Sequence, residues 1–313
     1  IDLAKAEINQ HKVIEVDFAY GDKLYEDYIN VLRARTEGSG TFVTTGYDDL
    51  DALLTEGMKK CNVSVIAGFT GMAKSSFVHN AMIRQAASGL RIGNVSLEMV
   101  KESVLDRMIS VGTAIPLLNI IKDTKNLSID EKRLIEVTIN NIRKSELIYI
   151  NDKVKATLDI LDQQLMLLKR LGKPLDICYI DLFGKLDDVS VEANLASNIE
   201  HKLRLARDIA RKNDVHICNV VQIRRYFDLN TIKINKPVPK PKLDKIKNSN
   251  AFAEEADLVL LLHRDKYYKP DIEFDILEVE VAKQRQGQMN ATAYFEFDPA
   301  CTRITSTSLR PSI

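Results

Sequence analysis

The chain lacks the cysteine pattern of a disulfide-stapled scaffold. Its four cysteines, Cys61, Cys178, Cys218 and Cys301, are far apart and make no C-x-x-C pair. That argues against a disulfide framework and suits a reducing interior. Cys178 and Cys218 lie inside apolar runs and read as buried small hydrophobes. The five histidines show no metal-ligand spacing. No run of 18 apolar residues is present, so no segment reads as a membrane-spanning helix, and no signal peptide is visible. Charge is balanced: 44 Lys+Arg against 44 Asp+Glu give a formal net charge of zero. No global field draws the chain to nucleic acid, so any basic site must be local. The first residue is Ile rather than Met, and the expectation is that the natural chain starts earlier.

What is present is a substantial core and one organising stretch. With 313 residues and 45% apolar content, the chain suits one large or two modest domains. Residues 62–76 read NVSVIAGFTGMAKSS. An apolar strand (Val63, Val65, Ile66, Ala67) runs into a glycine-bearing turn, and Lys74, Ser75 and Ser76 open a helix. From Gly68 through Thr70, Gly71, Met72 and Ala73 to Lys74 and Ser75, the spacing is G-x-x-x-x-A-K-S. That is one letter from the phosphate-binding loop G-x-x-x-x-G-K-[ST]. A small-residue loop lets backbone N–H groups face phosphate oxygens, and the helix behind it aims its positive dipole end at them. Lys74 would reach the β/γ-phosphates of ATP or another NTP, and the Ser75 hydroxyl would ligate Mg²⁺. Ala73 stands where the pattern has glycine. If that position needs φ > 0, its Cβ costs roughly 1–2 kcal/mol. The bland alternative is a chance lysine after a core strand.

Residues 22–35 carry apolar side chains at 24, 28, 29 and 32, the spacing of a helix with a narrow stripe. The run TEGSG at 36–40 breaks it. Two readings stand level: a cap on the same domain, or a linker helix that docks on a neighbouring subunit. From 62 to 262 strands and helices alternate. Strands are expected at 91–97, 147–150, 175–180, 215–221 and 258–262. Helices are expected at 74–88, 101–112, 114–122, 130–144, 157–171 and 192–212. Strands 276–284 and 291–297 follow as an antiparallel pair, the second at the edge. This predicts an α/β fold with a mostly parallel sheet and helices on both faces. Ligands then gather at the carboxyl ends of the strands.

Polar residues fall at those ends. Asp181 follows LDICYI and can hold Mg²⁺; otherwise it is a capping Asp. Glu98 follows NVSL and can deprotonate an attacking water; otherwise it is a surface Glu. Gln222 can sense a γ-phosphate and pass that state to the loop behind it; otherwise it merely ends a strand. That loop, 224–249, holds Lys233, Lys236, Lys240, Lys242, Lys245 and Lys247 against Asp228 and Asp244. Such density can track a phosphate backbone, or be a solvated loop. No aromatic interleaving follows Phe227, so base stacking is not indicated. Lys283 and Arg285 are two apart on a strand and leave one face. They can reach a nucleotide on an adjacent subunit as an arginine finger does, or simply guard a sheet edge with charge.

Together these segments resemble the DnaB-like, RecA-fold replicative helicases, including phage members, over about 45–298. The resemblance rests on TGYDDLDALLTEG, VSLEM at 95–99, CYIDLFGKL at 178–186, NVVQIRR at 219–225, ADLVLLLHRD at 256–265 and AKQRQG at 282–287. It implies a RecA-like domain at 41–300, an N-terminal linker region at 1–40 and a tail at 301–313. It implies Glu98 as catalytic base, Lys74 and Gln222 beside it, Asp181 with Ser75 at Mg²⁺, and Lys283 with Arg285 acting in trans. Single-stranded DNA would be held by Lys242, Lys245, Lys247, Asn248 and Asn250, although the family's Arg and Gly are replaced in that turn. It further implies a homo-hexameric ring or spiral, 5′→3′ translocation, primase and loader partners, and the cytoplasm of a bacterium or phage-infected host. The competing expectations are a RecA-fold ATPase of recombinase or other ring type, and a hydrolysis-weakened nucleic-acid scaffold.

Overall fold

The structure, a computed structural model, describes residues 21–36, 42–55, 57–153, 156–186, 195–229, 232, 237–243, 252, 254–285, 287 and 289–310. The chain divides into two units, 1–41 and 42–313. In the first, helix α1 (Gly21–Thr36) leaves Leu24, Tyr25, Tyr28 and Leu32 exposed. A helix with an uncovered apolar stripe has no core of its own.

The second unit is built on a nine-stranded sheet. Its strands are β3 (Val63–Gly68), β4 (Ile92–Ser96), β5 (Ile148–Asn151), β6 (Ile177–Asp181), β7 (His216–Gln222), β8 (Leu258–Arg264), β9 (Ile276–Gln284), β10 (Ala291–Asp298) and β11 (Arg303–Ser306). The order across the sheet is β11-β10-β9-β8-β3-β7-β6-β4-β5. Strands β8, β3, β7, β6, β4 and β5 are mutually parallel. Strands β9, β10 and β11 add on antiparallel. Strand β3 is central and buried along its whole length, which its mostly apolar run anticipates.

The chain leaves β3 in one direction, through α3 (Lys74–Ala87) to β4 and onward, through α4 (Lys101–Thr113), α5 (Leu117–Lys122) and α6 (Ile129–Ser145), to β5. It returns through α7 (Leu158–Arg170) to β6 and α8 (Leu195–Asn213) to β7. Right-handed crossovers running in opposite directions lay their helices on opposite faces. Accordingly α3 packs with α4, and α7 with α8. Local signals behave as their chemistry dictates: Ser128 and Glu131 form a reciprocal capping box at α6, and Thr157 caps α7.

Two differences stand out. Strand β10 is not the edge, because β11 pairs outside it, Phe297 opposite Ile304. The run RITS is too short to announce itself; Ile304, fully buried, anchors it. A small antiparallel pair, β1 (Phe42–Val43) with β2 (Met58–Lys59), and the one-turn helix α2 (Asp48–Asp51) precede β3.

Candidate active site

Loop 68–73 leaves the carboxyl end of β3 with two positions closed to any side chain. A Cβ on Gly68 would lie 2.9 Å from the Leu262 carbonyl oxygen. One on Gly71, at φ +85°, would lie 2.2 Å from the Tyr267 ring. Ala73 adopts the left-handed conformation, φ 57° and ψ 28°, as the N-cap of α3. Alanine here takes the geometry that glycine visits without a Cβ penalty. The first turn of α3 holds no acidic residue, so nothing there opposes an anion at its dipole.

The loop borders an open cleft of about 220 Å³, lined by Thr70, Gly71, Met72, Ala73, Lys74, Ser75 and Ser76 with Glu98, Arg107, Leu182 and Gln222. Lys74 is buried and donates to the carbonyls of Phe69 (2.9 Å) and Gly68 (3.1 Å). Burial lowers its pKa to about 8, while Asp181 and Glu98 pull the other way. An arriving polyanion would favour its charged form. Asp181 ends β6, buried, with its pKa raised chiefly by burial. The Ser75 hydroxyl is hydrogen-bonded to it and opposes that rise, as do Lys74 and Lys185, whereas Glu98 adds to it. Asp181 Oδ1 is buried with no hydrogen-bond partner among the described residues. An orphaned carboxylate oxygen beside a hydroxyl is a donor set that fits Mg²⁺. Glu98 lies just past the end of β4, half exposed, with Oε1 3.6 Å from Lys185 Nζ. Gln222, at the end of β7, pairs in register with Gly68.

Sequence reasoning missed Arg107. It sits on α4, and only the crossover that lays α4 beside the cleft brings its guanidinium there. Its charge also helps keep the buried His79 imidazole neutral, after burial itself.

Lys283 and Arg285 are elsewhere. Leu258 pairs with both Gln284 and Ser64, at the amino-terminal end of the parallel strands. From Ser64 to Gly68 the strand rises about 13 Å, and the cleft lies beyond. Arg285 is half exposed, its Nε 2.6 Å from Asp257 Oδ1. Lys283 Nζ donates to the Ala256 carbonyl at 2.5 Å. Both therefore emerge beside the 254–257 segment, away from their own cleft.

Of the expected DNA contacts, Lys245, Lys247, Asn248 and Asn250 lie outside the described residues. Lys242 is exposed. Its neighbour Lys240 forms an ion pair with the buried Glu278 carboxylate, and the Tyr226 hydroxyl donates to the Lys240 carbonyl. Tyr226 and Phe227 meet Phe69 edge-on at 5.7 and 5.5 Å between ring centres. An aromatic cluster thus joins the phosphate-type loop to the root of the lysine-rich loop.

Comparison with known proteins agrees with this picture. The family described as DnaB-like helicase C-terminal domain matches residues 42–306. A protein of Trieres chinensis named "Probable replicative DNA helicase" is 26% identical over 270 residues, covering 84% of this chain and 56% of that protein. The replicative DNA helicase DnaB of Buchnera aphidicola (subsp. Schizaphis graminum) is 25% identical over 251 residues, 79% of this chain and 52% of that protein. The chain thus spans about half the length of the curated relatives it matches. Among solved structures, the ATPase domain of G40P superposes with a TM-score of 0.80 at 22% identity, over 92% of this chain and all of that one. A DnaB-like replicative helicase described with its interactions with primase gives 0.78 at 23% identity, over 98% and 72%. The fold is RecA-like, and the chain belongs to the DnaB-like helicase C-terminal domain family.

Proposed function

We propose that this chain is the motor of a ring-forming DNA helicase. It hydrolyses ATP or another NTP at subunit interfaces and moves 5′→3′ on single-stranded DNA. One observation carries the interface reading: Arg285 stands half exposed at the opposite end of the sheet from its own cleft. That position supports its acting on a neighbour's nucleotide rather than on one in its own subunit.

Within the cleft, backbone N–H groups of 70–75 receive the phosphates, and Lys74 turns from the loop carbonyls to their negative charge. Glu98, half exposed at the cleft mouth, takes the proton of the attacking water. Ser75 and Asp181 would hold Mg²⁺, which when bound would offset the phosphate charge. Gln222 and Arg107 face the terminal phosphate, and Arg285 with Lys283 completes the site from the next subunit. Gln222 and Phe69 then communicate the nucleotide state to loop 224–249, whose lysines track the DNA backbone.

The apolar stripe of α1 supports self-association, because such a face needs a partner; a homo-hexameric ring or spiral is the arrangement proposed. Primase and a loader are the partners proposed, the former because a structural neighbour is described with primase. The cytoplasm of a bacterial or phage-infected cell is the setting proposed.

Arg285→Ala tests the reading. Assembled protein should lose about 10³-fold or more of its ATPase turnover and keep nucleotide binding largely intact. Full turnover in that variant overturns the interface mechanism.

A further inference from the structure

Asp257 sits at the foot of the sheet, directly before β8, and its side chain is only 13% exposed. Its two oxygens have different duties. Oδ2 accepts from the backbone N–H of Val63, the first residue of β3, at 2.9 Å. Oδ1 receives Arg285 Nε at 2.6 Å. The backbone joins the same residues: Asp257 N–H donates to the Val63 carbonyl at 2.8 Å, and Arg285 N–H to the Asp257 carbonyl at 3.1 Å. Arg207, largely buried, stands behind this carboxylate at 4.0 Å and holds Glu255 at 2.7 Å. The carboxylate is thus held by Val63 and flanked by Arg207 before it meets Arg285.

A guanidinium is planar, and its donors form a rigid fork. Nε is held by Asp257 and Nη2 donates to the Glu254 carbonyl at 3.3 Å, which orients the whole plane and leaves its remaining Nη N–H groups to meet a phosphate oxygen. A long arginine side chain has many rotamers, and ordering it in advance removes an entropic cost at the moment of reaction. We propose that Asp257 is the positioning residue of the trans-acting Arg285. It fixes the guanidinium in the orientation that meets the neighbouring subunit's terminal phosphate. This rests on the interface reading above. The carboxylate touches no nucleotide in either subunit; it acts through Arg285.

The competing role is local: Asp257 anchors β3 and so supports its own phosphate loop. Subunit mixing separates the two. Assemblies of Asp257→Ala should turn over ATP about 100-fold more slowly, the scale of a misplaced catalytic group. Their nucleotide affinity should stay within about twofold of the parent, as positioning in trans requires. These subunits are then mixed with Lys74→Ala subunits, whose own cleft is disabled but whose Arg285 is intact. An Asp257→Ala cleft facing such a neighbour regains a held arginine. Turnover should recover to the level reached when Arg285→Ala subunits are mixed with Lys74→Ala subunits. No recovery with Asp257→Ala, while the Arg285→Ala mixture recovers, overturns the proposal and leaves the interface reading standing. No recovery in either mixture overturns both. Asp257→Asn guards against a folding defect. Its single acceptor oxygen serves Val63 or Arg285 but not both, and the same recovery is expected. An Asp257→Asn assembly that loses turnover and does not recover in the same mixture also overturns the proposal.

Discussion

At the scale of the residue, Ala73 is the departure that matters. Its left-handed backbone, φ 57°, is the conformation in which a Cβ is unwelcome. The alanine was visible in the sequence, and so was the question it raised. The answer needed the dihedral angle. Replacing Ala73 with glycine should stabilise the fold by about 1 kcal/mol, partly offset by the freer unfolded chain. Turnover should rise, because the loop then reaches its phosphate-binding form without strain. Unchanged or lower turnover would count against a strained loop and weaken the scaffold alternative with it. Thermal unfolding and steady-state ATPase assays on the pair decide it. Gly71 shows the opposite limit of legibility. Its closeness to Tyr267 has no local signal, because the two meet only through the parallel pairing of β3 and β8.

At the scale of the element, periodicity and capping chemistry carried most of the information. The capping box at α6 could be read from Ser128 and Glu131 alone, because both hydrogen bonds are local. The lysine-rich loop was legible as charge but not as geometry. Lys240 is tied to Glu278 on β9, a long-range pairing, while Lys242 beside it is exposed. Lys240 therefore secures the loop's root, and Lys242 is the exposed lysine among the described residues proposed to meet a phosphate. Lys242→Ala should weaken single-stranded DNA binding evenly across sequences and reduce the salt slope by about one. An unaltered slope in a salt titration would remove Lys242 from the interface. Arg107 was not legible, since nothing in α4's own sequence says which strand end it will cross.

At the scale of the whole molecule, buried histidines make stability depend on pH. His216 donates from Nδ1 to the Lys59 carbonyl at 2.7 Å and takes Ser64 Oγ at Nε2, 2.8 Å away, as a neutral ring. Burial lowers its pKa from 6.5 to about 4, and that of His79 to about 3. The unfolded chain binds these protons below pH 6.5 and the folded chain does not. Their contribution is therefore complete above pH 6.5 and is lost as pH falls toward the folded values. At pH 5 the loss is about 2 kcal/mol for each histidine. Urea unfolding at pH 7.5 and pH 5 should show it, and His216→Gln should shrink the difference. An equal difference in that variant would discharge His216 from the effect.

The sequence by itself determined the strand–helix alternation, the phosphate-type loop and the polar residues at the strand ends. Those follow from side-chain periodicity, turn chemistry and spacing, all of which act over a few residues. Only the tertiary structure decided which residues share a space. It set Asp181 against Ser75, brought Arg107 to the cleft, closed the sheet's edge with β11, and put Arg285 on Asp257 at the far end from the loop. These outcomes depend on strand order and crossover hand, which are settled by packing between segments distant in the chain.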